Sequence, residues 1–308
     1  MTKASIDLGK VGLWTNILDT LPSSEGNELC AEASSLGFKT IWIPEAVGRD
    51  PFVTAMRVLE NTADVVVATG IANIYARDAM TMANAQRSVE EAHPGRFLLG
   101  LGVSHLHLVE WVRKHDYSKP LTFMRDYLAA MQKARFMAVG PTELPELVLA
   151  ALGPKMLELA ASETAGAHPY FVPPEHTQMA REIMGQDALL YPEQMVVLEE
   201  DPSTARAIAR QHMTTYAALP NYANNLRRLG YETEEIESLD DRVVDAVIAW
   251  GSLEAIKERV KAHFDAGADH VCVQVLTEDS QDVPEAVSYT HLRAHETKAN
   301  LVCRLLLE

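Results

Sequence analysis

The chain has 308 residues, 47 % of them hydrophobic and 23 % charged, proportions that allow a sizeable buried core and exclude a disordered chain. Its formal net charge of −16 repels nucleic acid and anionic membrane, and no basic stripe with interleaved aromatics offsets it, so a phosphate-bearing ligand must be met by local backbone N–H groups and a few cations. Cys30, Cys272 and Cys303 lack CxxC spacing, the start Met1 to Lys10 lacks a signal-peptide core, and no apolar run approaches about 18 residues, so a reducing, cytoplasmic location is expected.

Taken in chain order, short β-rich runs alternate with helical periodicity. Eight strands are predicted, at 11–16, 40–44, 64–70, 96–102, 146–151, 167–172, 194–199 and 270–276. Apolar faces at helical spacing lie between them: Leu29, Ala33 and Leu36; Met80, Ala83 and Arg87; Met156, Leu159 and Ala160; Leu253, Ile256 and Val260. Strand–helix alternation implies parallel strands with right-handed crossovers, and eight of them select a closed (β/α)8 TIM barrel over an open dinucleotide-binding sheet. Runs such as VVVATG and FLLGLG, apolar at nearly every position, fit strands covered on both faces.

Residues 201–250 exceed what one crossover helix needs. Pro202 opens a helix there, and Tyr, Asn and Arg interleave along the residues after it, so a helical insertion is expected between strands seven and eight. It serves as a lid over the barrel mouth, as a subunit contact, or as plain packing on the outer wall. Residues 1–286 read as a single domain. From 287 to 308 the sequence turns basic in an otherwise acidic protein and resembles translated adapter or vector sequence, so it is set aside from functional reasoning; a genuine basic helix is the alternative.

In a barrel the chemistry gathers at the carboxyl ends of strands. Those ends offer Trp14 after strand one, Glu45 after strand two, Gly70, Ile71, Asn73 and Arg77 after strand three, and His105 after strand four. Leu152, Gly153 and Pro154 follow strand five, and His176 and Thr177 follow strand six. Within residues 1–286 the histidines lack HxxxH or HExxH spacing, so no metal site is expected there. There is no GxSxG elbow or GxxxxGK[ST] loop, and Gly100-Leu-Gly102-Val-Ser-His105 carries His where a dinucleotide fingerprint needs its third glycine. What is left, a few proton-handling side chains beside apolar walls and glycine turns, suits a planar redox cofactor that brings its own chemistry.

Four segments carry a family pattern: FKTIWIPEAVGRDPF, VVVATGIANIYARDAMTMANAQRSVEEAHPGRFLLGLGVSH, LAALGPKMLELAASETAGAHPYFVPPEHTQMAREIMG and AWGSLEAIKERVKAHFDAGADHVCVQVL. Together they resemble the luciferase-like superfamily, and more narrowly the actinobacterial oxidoreductases that use the deazaflavin coenzyme F420. The resemblance spans residues 11–283, and the run from GIANIYAR to LGLGVSH is its most specific part.

The resemblance implies hydride transfer between the deazaflavin C5 and a small enone, carbonyl or alcohol substrate, in a homodimer. Gly70-Ile71 matches a bulge where relatives carry a non-proline cis peptide against the ring, with Asn73 just beyond it. Glu45 matches an acidic position that contacts the ring; the His that many relatives place beside it is Ala46 here. His105 matches a site where some relatives carry a catalytic Glu, and a His there is able to exchange a proton near neutral pH. Both positions depart from the relatives' pattern, so the resemblance bears on the cofactor more than on the mechanism.

Gly153-Pro154, next to Leu152, matches a turn that relatives use near the cofactor phosphate. Physically, a glycine turn entering a helix through Pro154 presents free N–H groups, and Lys155 adds charge; simple strand capping is the alternative. His176 and Thr177 open the next helix and could do similar work, though a capping role also explains Thr177. Arg77 orients an anionic substrate or tail, or pairs with a neighbouring carboxylate. Trp14 walls the substrate slot, or is core. Two rival readings stand beside the F420 enzyme: an FMN-dependent luciferase-like monooxygenase, and a non-catalytic cofactor-binding barrel.

Overall fold

The computed structural model describes residues 6–278; the expectation for 287–308 lies outside them. Eleven strand segments run parallel. They are β1 (Val11–Trp14), β2 (Thr40–Ile43), β3 (Val66–Thr69), β4 (Ala72–Asn73), β5 (Phe97–Gly102), β6 (Leu147–Leu149), β7 (Gly166–Ala167), β8 (Leu189–Leu190), β9 (Glu193–Val197), β10 (Ala249–Trp250) and β11 (Val271–Val275). Between them lie α1 (Ser23–Ser35), α2 (Pro51–Glu60), α3 (Ala79–Ala92), α4 (Pro120–Gln132), α5 (Pro154–Glu163), α6 (Pro174–Met184), α7 (Pro202–Ala217), α8 (Pro220–Arg228), α9 (Thr233–Ser238), α10 (Asp241–Val247) and α11 (Leu253–Asp265).

The ring closes through one stretch of chain. β8 and β9 are two halves of the seventh stave, interrupted at Tyr191-Pro192. On one side Tyr191 N donates to Ala167 O (2.9 Å) and Glu193 N to Pro169 O (2.9 Å); on the other, Asp269 N donates to Leu190 O (2.9 Å) and Cys272 N to Pro192 O (3.0 Å). With β11 paired to β1 and β1 to β2, these bonds complete the eight-staved (β/α)8 barrel expected from the alternation. The insertion after stave seven consists of α7 to α10.

Six helices begin with proline at the first helical position, where its missing N–H costs nothing and its fixed φ fits the helix: α2, α4, α5, α6, α7 and α8. Strand alternation sorts the core. Ile41 and Ile43 point outward to the helices, while Trp42 points into the barrel and stacks on His168 at 4.3 Å between centroids. Trp42 Nε1 donates to His270 Nε2 (3.1 Å), and Gly12 leaves room for that ring, since a Cβ there would lie 2.7 Å from it.

Two sequence expectations shift. Met80, expected on the buried face of its helix, is 52 % exposed; α3 turns Met82, Ala83, Arg87 and Val89 inward instead. Strand six, expected over 167–172, ends its ladder at Ala167, because Pro169 has no N–H to give and Phe171 takes a left-handed φ of 61°. Among the described residues no helix is long and apolar enough to cross a membrane.

Candidate functional site

The carboxyl ends of the staves surround a cavity of about 700 Å³. Its floor is the turn after β3. The Gly70–Ile71 peptide is cis, as the resemblance implied. Only glycine fits at 70, because a Cβ would lie 2.7 Å from Trp14 Nε1 and 2.9 Å from His168 Nε2. These two ring nitrogens are enclosed and have no protein partner. His168 Nδ1 lies 2.7 Å from Tyr191 O; a carbonyl only accepts, so Nδ1 carries the hydrogen and Nε2 is left as an acceptor. Trp14 is both wall and core: it lines the cavity, is 4 % exposed, and packs on Tyr170 at 5.1 Å.

Glu45 holds the floor in place. Its N donates to Ile71 O (3.1 Å), and its Oε2 accepts from Asn73 N (2.7 Å). Arg77 grips both carboxylate oxygens, Nη1 to Oε2 at 2.8 Å and Nη2 to Oε1 at 2.7 Å, and reaches Asp50 Oδ2 at 2.9 Å. The side chains of Arg77 and Glu45 are 10 % and 6 % exposed. A guanidinium so committed is not free to orient a substrate, and Arg77 does not line this cavity, so that expectation is corrected in favour of carboxylate pairing. Asn73 likewise sits behind the wall, its Oδ1 accepting from Tyr75 N at 2.9 Å.

His105 stands across the cavity on the loop after β5. It is half-buried, its Nδ1 is enclosed without a partner, and its ring lies 5.5 Å from that of Tyr222 on α8. Burial pulls its pKa below the ordinary histidine value, and a hydrogen bond with the Asn221 side chain opposes that pull only in part.

At the other end, Leu152, Gly153 and Pro154 lead into α5, and all three line the cavity with Lys155. Pro154 has no N–H and Met156 N donates to Gly153 O (3.0 Å), so the anion-favouring features of this end are Lys155, by its N–H and its ammonium, and the positive end of the α5 dipole. Arg228, from the last turn of α8, closes over it: its Nη1 donates to Asn225 Oδ1 (2.9 Å), and its Nη2 lies 3.5 Å from where a Cβ on Gly153 would stand.

His176 and Thr177 are fully buried behind this wall and do not line the cavity, which corrects the cofactor contacts expected of them. His176 Nε2 donates to Leu152 O (2.9 Å), and Thr177 Oγ1 meets His263 Nδ1 at 2.8 Å. They hold α6 against the cradle loop and α11. Sequence reasoning missed His168, Tyr170, Tyr216, Tyr222, Asn221 and Arg228, all of which line the cavity. The interleaved Tyr, Asn and Arg of the insertion was the available signal for four of them.

The family model of luciferase-like monooxygenases matches residues 15–270. The chain is 24 % identical to a protein of Mycobacterium tuberculosis (strain ATCC 25618 / H37Rv) provisionally named coenzyme F420-dependent oxidoreductase Rv3520c, over 89 % of this chain and 96 % of that one. In fold it is similar to an F420-dependent secondary alcohol dehydrogenase solved with an F420–acetone adduct, at TM-score 0.73, 12 % identity and full coverage of both chains. It is also similar to the coenzyme F420-dependent tetrahydromethanopterin reductase of Methanopyrus kandleri, at TM-score 0.74, 15 % identity and coverage of 96 % and 97 %.

Proposed function

The chain belongs to the luciferase-like monooxygenase family, and from that membership we propose that it is an oxidoreductase that takes up coenzyme F420 and exchanges a hydride with a small organic alcohol or carbonyl compound. One observation carries the reading. A single cavity joins a flat, uncharged floor at Gly70–Ile71 to an anion-favouring helix start at Gly153–Lys155 beneath Arg228, which are the two features a phosphate-tailed tricyclic ring needs. The names of Rv3520c and of the two solved neighbours point the same way.

The residues present fit such a group. Trp14 and Ile71 would bound the ring, the unpartnered Trp14 Nε1 and His168 Nε2 would border its polar edge, and Gly153, Lys155 and Arg228 would hold the phosphate. When bound, the carrier supplies a two-electron hydride acceptor or donor. The protein handles the proton. His105, held neutral at pH 7 by burial, is a base ready to take the hydroxyl proton of an alcohol as its carbon loses hydride, and in the reverse direction its imidazolium returns that proton to the carbonyl oxygen. Glu45 acts through the floor it fixes, as a positioning residue.

FMN with molecular oxygen is the second reading, favoured by the monooxygenase chemistry in the family's name. Titrating the full chain with F420 and with FMN, followed by cofactor fluorescence, separates the two. F420 is expected to bind more tightly and to support alcohol oxidation without oxygen uptake. Stoichiometric FMN with oxygen consumption would establish the second reading. A dimer belongs to the same proposal, and sedimentation of the full chain reads it.

A further inference from the structure

We propose that the substrate is an uncharged, planar carbonyl or alcohol compound with an apolar body, selected by the loop 103–121 together with Tyr222 of α8. This rests on the F420 reading only in leaving the His105 end of the cavity to the substrate.

The cavity is electrically lopsided. Among the described residues that line it, the cations other than histidine are Lys155, in the first turn of α5, and Arg228, which reaches that turn from the end of α8. Its carboxylate, Glu45, is occupied by Arg77 and by Asn73 N. Around His105 the walls are Val103, Leu108, Tyr117, Pro120, Leu121 and Tyr222, with the polar Ser104 and Asn221 among them, Asn221 being engaged by the side chains of His105 and Tyr222. Of the cations this loop carries, Lys114 and Lys119 are exposed and Arg113 is turned aside, its Nη2 donating to Ala46 O at 3.1 Å and standing 4.0 Å from Glu45 Oε1; none of them lines the cavity.

Tyr117 and Tyr222 line this end with aromatic rings and bring no charge. Tyr117 OH donates to Ser104 O (3.0 Å), and burial pushes both phenols well above the ordinary tyrosine range. A carboxylate or phosphate entering this end would lose its hydration and meet no counter-charge. An aromatic or conjugated ring would gain apolar contact and ring stacking. One polar atom of the substrate is provided for: His105 Nδ1 is enclosed, unpartnered and at this end. The site therefore has room for a flat apolar body with a single hydroxyl or carbonyl, and no provision for sugar phosphates or amino acids.

The test uses the full chain, both cofactor-free and loaded with F420, and a matched pair of ketones, 2-acetylnaphthalene and 6-acetyl-2-naphthoate, with binding read by calorimetry. The neutral ketone is expected to bind at least about tenfold more tightly than its carboxylate in both states. Leu121→Arg should erase or reverse that preference; Leu108→Lys serves should the first variant not fold. Equal or tighter binding of the carboxylate by the wild-type chain overturns the proposal, as does failure of both ketones to bind at millimolar concentration. Failure of the cofactor reading looks different: F420 does not bind while the preference for the neutral ketone persists.

Discussion

In the proposed reaction His105 would serve as a base before it serves as an acid. Since its folded pKa lies below the ordinary 6.5, the neutral ring persists into mild acid, and alcohol oxidation should hold its rate below pH 6.5 before falling on the acid side. His105→Gln keeps a polar side chain but no titrating one, so turnover should drop about 10²- to 10⁴-fold with F420 affinity nearly unchanged and the acid limb gone. A pH–rate profile of both proteins checks this, and an acid limb surviving in the variant would assign it to another group. Gly70 is the second sensitive residue. In Gly70→Ala the new methyl must displace Trp14 or His168, so F420 affinity should fall at least about tenfold, as read by fluorescence titration. Gly70 was legible because it ends a recognisable strand run, and His105 because it follows one closely. The role of Glu45 was not, because its partner Arg77 stands 32 positions away and nothing local announces a two-pronged grip.

Elements meet in the Glu45–Arg77–Asp50 clamp. Glu45 follows β2, Arg77 follows the turn after β3, and Asp50 caps α2, where its Oδ1 accepts from Phe52 N (2.9 Å). Arg77→Ala would leave the buried Glu45 carboxylate with only Asn73 N (2.7 Å) and the more distant Arg113 Nη2 (4.0 Å), a loss of up to about 3–5 kcal/mol. Urea unfolding should show it, with a parallel loss of cofactor affinity as the floor relaxes. Arg77→Lys, which keeps the charge but not the fork, should recover only part. At this scale the sequence was informative where chemistry is local. Proline marked helix starts, among them Pro202, where α7 opens. Strand six and the seventh stave were less legible: Pro169 and Pro192 interrupt apolar runs whose ladder bonds come from partners far along the chain.

The whole molecule is set by what fills the barrel and its flanks. Burial pulls His168, His176, His212 and His270 down to about 4 and His263 to about 3. Between pH 6.5 and about 4 the unfolded chain binds these protons and the folded one refuses them, so each histidine removes stability as pH falls, by about 1.4 kcal/mol per unit. Glu193 has the opposite sign. Burial raises it to about 8, so from its ordinary 4.5 upward the folded state holds a proton that the unfolded state has released, and stability declines toward pH 8. Between pH 6.5 and 4.5 five histidines outweigh one glutamate, so the net slope is a loss of stability on the order of several kcal/mol per unit, set against a typical total of about 5–15. Cooperative unfolding is therefore expected above about pH 4.5, with a Tm that collapses across that interval in circular dichroism melts. Glu193→Gln should raise the Tm at pH 8 and leave the acid limb intact. A Tm that stays level from pH 7 to 5 would mean that these histidines take up protons within the fold, and the sealed barrel interior would have to admit water.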